Sequence, residues 1–230
     1  MLGIVIPAHN EEHYIAASVG SAMAAARDTR LNGESVEVLV VLDGCDDATG
    51  VIACRCGAHT LSVRGRNVGF ARAAGAAALL AMGARWLAFS DADTRVSHNW
   101  LGDQLSLGAD AVCGTVTVDD WSCHGQAAHW LRAHFHATYQ DCEGHSHVHG
   151  ANLGVSAKAY RNAGGFKHLK CSEDKHLIHA LAETGARIAW SAKPRVVTSA
   201  RRDVRAHGGF GSRLAGLVAA APAGAHPRHV

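Results

Sequence analysis

A chain of 230 residues, 48% hydrophobic and only 18% charged, is long enough to bury one sizeable core and too apolar to stay disordered. Its formal net charge of +2, with Lys and Arg scattered along the chain, leaves no electrostatic footprint for nucleic acid. The longest apolar stretch, Ala73 to Ala84, lies between Arg72 and Arg85. It falls short of the roughly 20 residues a spanning helix needs, so no transmembrane segment is expected.

In chain order, short β-branched runs alternate with longer alanine-rich helical stretches. Ile4 to Ile6 predicts a strand, followed by a helix from about Glu12 to Arg27. Val36 to Leu42 predicts a second strand, with a helix from about Ala48. Thr60 to Val63, a helix from Gly69 to Met82, and a buried strand from Trp86 to Ser90 complete the series. This alternation predicts an α/β fold with an open, mostly parallel, doubly wound sheet flanked by helices.

The later part changes character: a strand over Ala111 to Val118, a helix from about Gly125 to Tyr139, and the loop CEGHSHVHGAN. Helices over Ser156 to Ala163 and Glu173 to Glu183 follow, then strands at Arg187 to Trp190 and Val196 to Thr198. This part is expected to cover the sheet and shape a pocket. A single domain over 1–218 results, with a nucleotide-binding half to about 95, an acceptor half over about 96–218, and a flexible tail at 219–230. Seven cysteines without paired CxxC spacing, in a chain opening directly on MLGIVIPAHN, point to free thiols in a reducing cytoplasm.

In an open parallel sheet, ligands bind beyond the carboxyl ends of the strands. Pro7-Ala8-His9-Asn10-Glu11-Glu12 follows the first strand; His9 offers a flat ring, and Asn10 and Glu11 offer polar atoms. The same residues also suit a helix N-terminus. Asp43-Gly44-Cys45-Asp46-Asp47 follows the second strand, where Asp43 can accept from an imide N–H of uracil, or where the segment is simply a turn and cap. Arg64-Gly65-Arg66-Asn67-Val68-Gly69-Phe70-Ala71-Arg72 brings three cations to a helix start, which suits a phosphate or a solvated basic loop. Ser90-Asp91-Ala92-Asp93-Thr94 ends the fourth strand, and its two carboxylates can reach a hard divalent cation.

Taken in order, IVIPAHNEE, VVLDGCDDAT, GRNVGFARAAG, WLAFSDADT, GANLGVSAKAYRNAGGF and SEDKHLIHAL resemble the signature series of family 2 glycosyltransferases, whose fold is called GT-A. The resemblance implies an inverting transfer from a nucleotide-sugar donor, with a UDP-sugar favoured, to an unidentified acceptor hydroxyl. It implies Mg2+ or Mn2+ at an Asp-x-Asp motif, and a hexosyltransferase type of activity. On it, Pro7, Ala8, His9, Glu11 and Asp43 line the nucleoside, and Arg66 and Arg72 lie near ribose or phosphate. Asp93 is the direct metal ligand; Asp91 approaches ribose or metal, with Ala92 between them. Gly150, Asn152 and Leu153 wall the pocket. Asp174, the second acid of Glu173-Asp174, becomes the base. Arg202 and His207 fold back over the diphosphate. The chain departs from the family at Leu42, where many members carry a second acid, and at Cys45, where they carry serine.

Three other functions make different demands on these residues. A sugar-1-phosphate nucleotidyltransferase needs a glycine-rich basic loop directly after the first strand, and PAHNEE is not one. A dinucleotide oxidoreductase needs GxGxxG, which is absent from the sequence. A catalytically inactive nucleotide-binding module would have no chemical use for both Asp93 and Asp174. His145, His147 and His149 alternate, so an extended segment would put three imidazoles on one face as a zinc site needs; a flexible acceptor loop is the other reading.

Overall fold

The structure, a computed structural model, describes residues 1–202 together with Leu214, Gly216 and Leu217. The expected boundary at 218, the tail at 219–230 and His207 lie outside the described residues. Four parallel strands carry the first part: β1 (Leu2–Ala8), β2 (Val36–Asp43), β3 (His59–Val63) and β4 (Trp86–Phe89). The helices between them are α1 (Ile15–Ala25), α2 (Thr49–Arg55) and α3 (Val68–Ala81). Alternation along β1 sends Leu2, Ile4 and Ile6 into the core beneath α1 and α2, and Val5 into the core beneath α3. A Cβ on Gly75 of α3 would lie 2.6 Å from Val5 and 2.8 Å from Val41, so this glycine allows α3 to sit directly on the sheet.

The second part extends the sheet as well as covering it. The elements are β5 (Thr94–Val96), α4 (Trp100–Ser106), β6 (Ala111–Thr117), α5 (Ala128–Thr138), β7 (Leu153–Ser156), α6 (Ala157–Asn162), α7 (Glu173–Glu183) and β8 (Ile188–Thr198). The sheet order is β3-β2-β1-β4-β7-β6-β8-β5, with β7 and β5 antiparallel to their neighbours. Two strands expected near the end are one, β8, whose register shifts opposite Gly114 and Thr115. Among the described residues no helix is long and apolar enough to cross a membrane, and all seven cysteines are free.

The placement of β5 bends the sheet. Only five Cα steps lead from Phe89 to Thr94, a reach of at most about 18 Å, yet β5 lies four strands beyond β4, about 19 Å across a flat sheet. The sheet therefore curls, and β5 closes over α1, where Val96 N–H donates to Ser21 Oγ at 3.0 Å and Ser18 Oγ donates to the carbonyl of Asp91 at 2.9 Å. Pairing of Thr94 with Thr198 then delivers the end of β8 beside the loop after β4.

Candidate functional site

The nucleoside side is built where β1 and β2 end. Pro7 needs no N–H partner there: it points to the same side as Val5, and β4 has already stopped at Phe89, opposite Val5. His9 Nδ1–H donates to the carbonyl of Asp43 at 2.8 Å, so in the neutral ring Nε2 carries the lone pair. Asp43, 4% exposed, accepts the backbone N–H groups of Gly65 (2.6 Å), Arg66 (2.8 Å) and Asn67 (2.7 Å). These bonds hold Arg66 at φ 45°, a left-handed conformation costly for arginine. Further ties join the first two loops: Glu11 N–H to Thr49 Oγ1 (2.7 Å), Glu12 N–H to Asp47 Oδ2 (3.1 Å) and Asn10 Nδ2 to Asp46 Oδ1 (2.5 Å). Gly44, Cys45, Arg64, Gly65 and Arg66 line an open cleft of about 460 Å³ beside them.

The reaction side is built from charges. Arg72, on α3 and 3% exposed, bonds Asp91 through Nη2 and Glu173 through Nη1, residues brought together from β4's end and α7's start. Burial opposes its charge, but Asp91, Glu173 and Asp174 outweigh that and raise its pKa. Burial pushes the Glu173 carboxyl up, against Arg72. A Cβ on Gly150 would lie 2.5 Å from the Arg72 guanidinium, so only glycine fits against it. The same Gly150 donates its N–H to Asp174 Oδ2 at 2.9 Å, while Lys175 N–H binds Oδ1 at 2.7 Å. Asp174 is half-buried in the first turn of α7, where the helix dipole favours its charge.

A strap after β8 completes this side. Arg201 holds Glu11 bidentately, at 2.5 and 2.7 Å, and its Nε lies 3.0 Å from Asp93 Oδ2. Burial raises the Asp93 pKa to about 6; Arg201 opposes the rise, and Asp91 and Glu11 add to it. Five carboxylates (Glu11, Asp91, Asp93, Glu173, Asp174) thus share two guanidinium groups. No three His, Cys, Asp or Glu side chains form a metal cage among the described residues. An oxygen-seeking ion such as Mg2+ is commonly held by one or two carboxylates plus substrate phosphates, and Asp91 and Asp93 fit that pattern.

Several expected site residues take other roles. Arg72, expected near ribose or phosphate, meets carboxylates through both terminal nitrogens. Asn152 is fully buried: Oδ1 accepts from Trp100 Nε1 (2.8 Å), and Nδ2 donates to the carbonyls of Thr115 and Pro194 (2.7 Å each). It ties β6, β7 and β8 together beneath the site and does not line it. Arg202 is exposed, and its neighbour Arg201, absent from the expected set, is the residue that folds back. Nothing local separates the two arginines; only the curl of the sheet does. His145, His147 and His149 do not converge on one point. They pack in series, with His147 stacked on Tyr139 at 4.2 Å and His149 Nε2 3.0 Å from the Tyr139 hydroxyl.

The sequence matches the family model "Glycosyl transferase family 2" over residues 3–164. No curated protein matches it. Among solved structures, it is similar to S. aureus TarS 1-349 in complex with UDP-GlcNAc, with a TM-score of 0.68 and 14% identity over 95% of this chain and 65% of that one. It is also similar to glucosyl-3-phosphoglycerate synthase from Mycobacterium tuberculosis in complex with Mn2+, UDP and phosphoglyceric acid, with a TM-score of 0.55 and 20% identity over 83% and 68%. The chain thus spans about two thirds of either neighbour, and at these identities the likeness speaks for the GT-A fold. The family match covers well over half of the residues, including every strand end described above except that of β8, and on it the chain belongs to glycosyl transferase family 2.

Proposed function

We propose that this protein transfers a sugar from a nucleotide-sugar donor, a UDP-sugar by preference, to an acceptor hydroxyl with inversion at the anomeric carbon. The observation that carries this reading is the Arg72 bridge, which joins Asp91 to Glu173, the latter 101 positions beyond Arg72 in sequence, and so sets the Asp-x-Asp loop against Asp174. UDP-GlcNAc in TarS and UDP with Mn2+ in the mycobacterial synthase support the donor class.

In this reading His9 stacks on the base. Asp43 has three of its four lone-pair sites taken by the 65–67 loop, which leaves one for an imide N–H. Pro7, Ala8, Arg66 and Ala92 shape the walls around the nucleotide, and Gly150 lies against the sugar. Asp93 and Asp91 would hold a divalent cation, Mg2+ or Mn2+, whose charge would offset that of the leaving diphosphate. Asp174 Oδ accepts the acceptor's hydroxyl proton as that oxygen forms its bond to the anomeric carbon. The bond to the diphosphate oxygen breaks on the opposite face, and its electron pair leaves with the nucleotide. Glu173 serves Asp174 indirectly, by anchoring the start of α7 to Arg72.

Calorimetric titration with UDP, GDP and dTDP, each with and without Mn2+, tests the donor site. Metal-dependent binding of one nucleotide is the expected outcome. Binding of none would remove the reading.

A further inference from the structure

The strap that follows β8 carries a cation into the acidic centre, and its attachments differ on its two sides. Its backbone is fixed: Ala200 is 2% exposed, and its carbonyl accepts from His124 Nε2 at 2.6 Å and from the Cys123 thiol at 3.3 Å. Its side chain is not comparably enclosed. The Arg201 side chain is 17% exposed, and its guanidinium lies 5.0 Å from the ring centre of Tyr14, an exposed residue. It meets two acids at once, Glu11 through both oxygens and Asp93 through one.

A carboxylate in contact with a guanidinium is a poor seat for a second cation, because the two positive charges repel at short range in a partly buried site. Glu11 and Asp93 nonetheless need a cation when no donor is present. Both are largely buried, with side chains 5% and 15% exposed, and an unpaired buried carboxylate is costly.

We propose that Arg201 is the resident counter-cation of the donor-free site, and that a divalent ion must displace it from Asp93 in order to bind. This inference rests on the nucleotide-sugar reading of the same site. Glu11 keeps one of its contacts to Arg201 after the exchange, so the backbone of the strap stays in place and the movement is a rotation of one side chain. The consequence is a metal site of low intrinsic affinity that fills well only when donor phosphates arrive with the ion.

The test is Mn2+ binding in the absence of nucleotide, read from the electron paramagnetic resonance signal of free Mn2+. It uses the full chain, Arg201→Gln, Asp93→Asn and the double variant. Arg201→Gln is expected to bind Mn2+ on the order of tenfold more tightly than the unaltered chain, and both variants carrying Asp93→Asn are expected to lose the site. Should Arg201→Gln not fold, Arg201→Lys carries the test. A single ammonium lacks the planar fork that spans Glu11 and Asp93 together, so its Mn2+ affinity should rise severalfold. Equal or weaker Mn2+ binding on replacing Arg201, with Asp93→Asn still losing the ion, overturns the inference and leaves the metal reading intact. Absence of Mn2+ binding from every variant, with and without UDP, overturns both.

Discussion

The nucleoside side and the reaction side sit at the same edge of one sheet, but they are held by different forces. Around Asp43 the partners are backbone N–H groups and short polar side chains, and each acidic group described there has a donor of its own. Around Asp91 and Asp93 charge is held against charge, and the carboxylates outnumber the guanidiniums. The first arrangement is complete without a ligand. The second carries an excess of negative charge that favours an incoming cation. A site built this way presents a preformed cradle to the base, while the place where charge develops stays responsive to ionic conditions.

Replacements on the two sides should therefore fail differently. The largest effect is expected from Asp174→Asn, which can keep the Gly150 bond only by turning its amide nitrogen toward the Lys175 N–H, and which removes the proton acceptor. Transfer should fall by about 10²–10⁴-fold, with nucleotide affinity nearly unchanged by calorimetry. Equal loss of binding would defeat the division of labour. Arg72→Gln leaves Glu173 and Asp91 without their counter-ion, and unfolding in urea should show a loss of about 3–5 kcal/mol.

Asp43→Ala strips three backbone N–H groups of their acceptor, and a loss of about 2 kcal/mol is expected in the same assay. Unlike Arg72→Gln, it should also weaken nucleotide binding without Mn2+ present, since the 65–67 loop is no longer held. The smallest effect separates the sides by pH. The Asp93 carboxyl is raised from its ordinary 3.8 to about 6, so between these values the folded protein binds the extra proton. Stability of the metal-free protein should fall as pH rises from about 4 through 6 and level off above. Asp93→Asn should remove that slope, while Asp43→Ala should leave it.

The sequence by itself determined the sheet-helix alternation of the first part, because a short β-branched run and an alanine-rich helix are local patterns. It also marked the acids at element ends: Asp43 closes β2, Asp91 and Asp93 follow β4, and Glu173 and Asp174 open α7. α7 begins and ends at the expected residues, Glu173 and Glu183, since it has acids at its start and a glycine beyond its end. The short β5, β7 and α4 were not expected, being three to seven residues long and without enough periods to register.

What only the tertiary structure decided is who partners whom. Arg72 and Glu173 are 101 positions apart, Arg201 and Glu11 are 190 apart, and Asn152 meets Trp100, Thr115 and Pro194 from three different elements. A side chain's local sequence sets its chemistry, but whether an arginine meets a ligand or a buried carboxylate depends on the curl of the sheet and the close approach that Gly150 permits. Those are properties of packing between distant segments, and no short-range pattern encodes them.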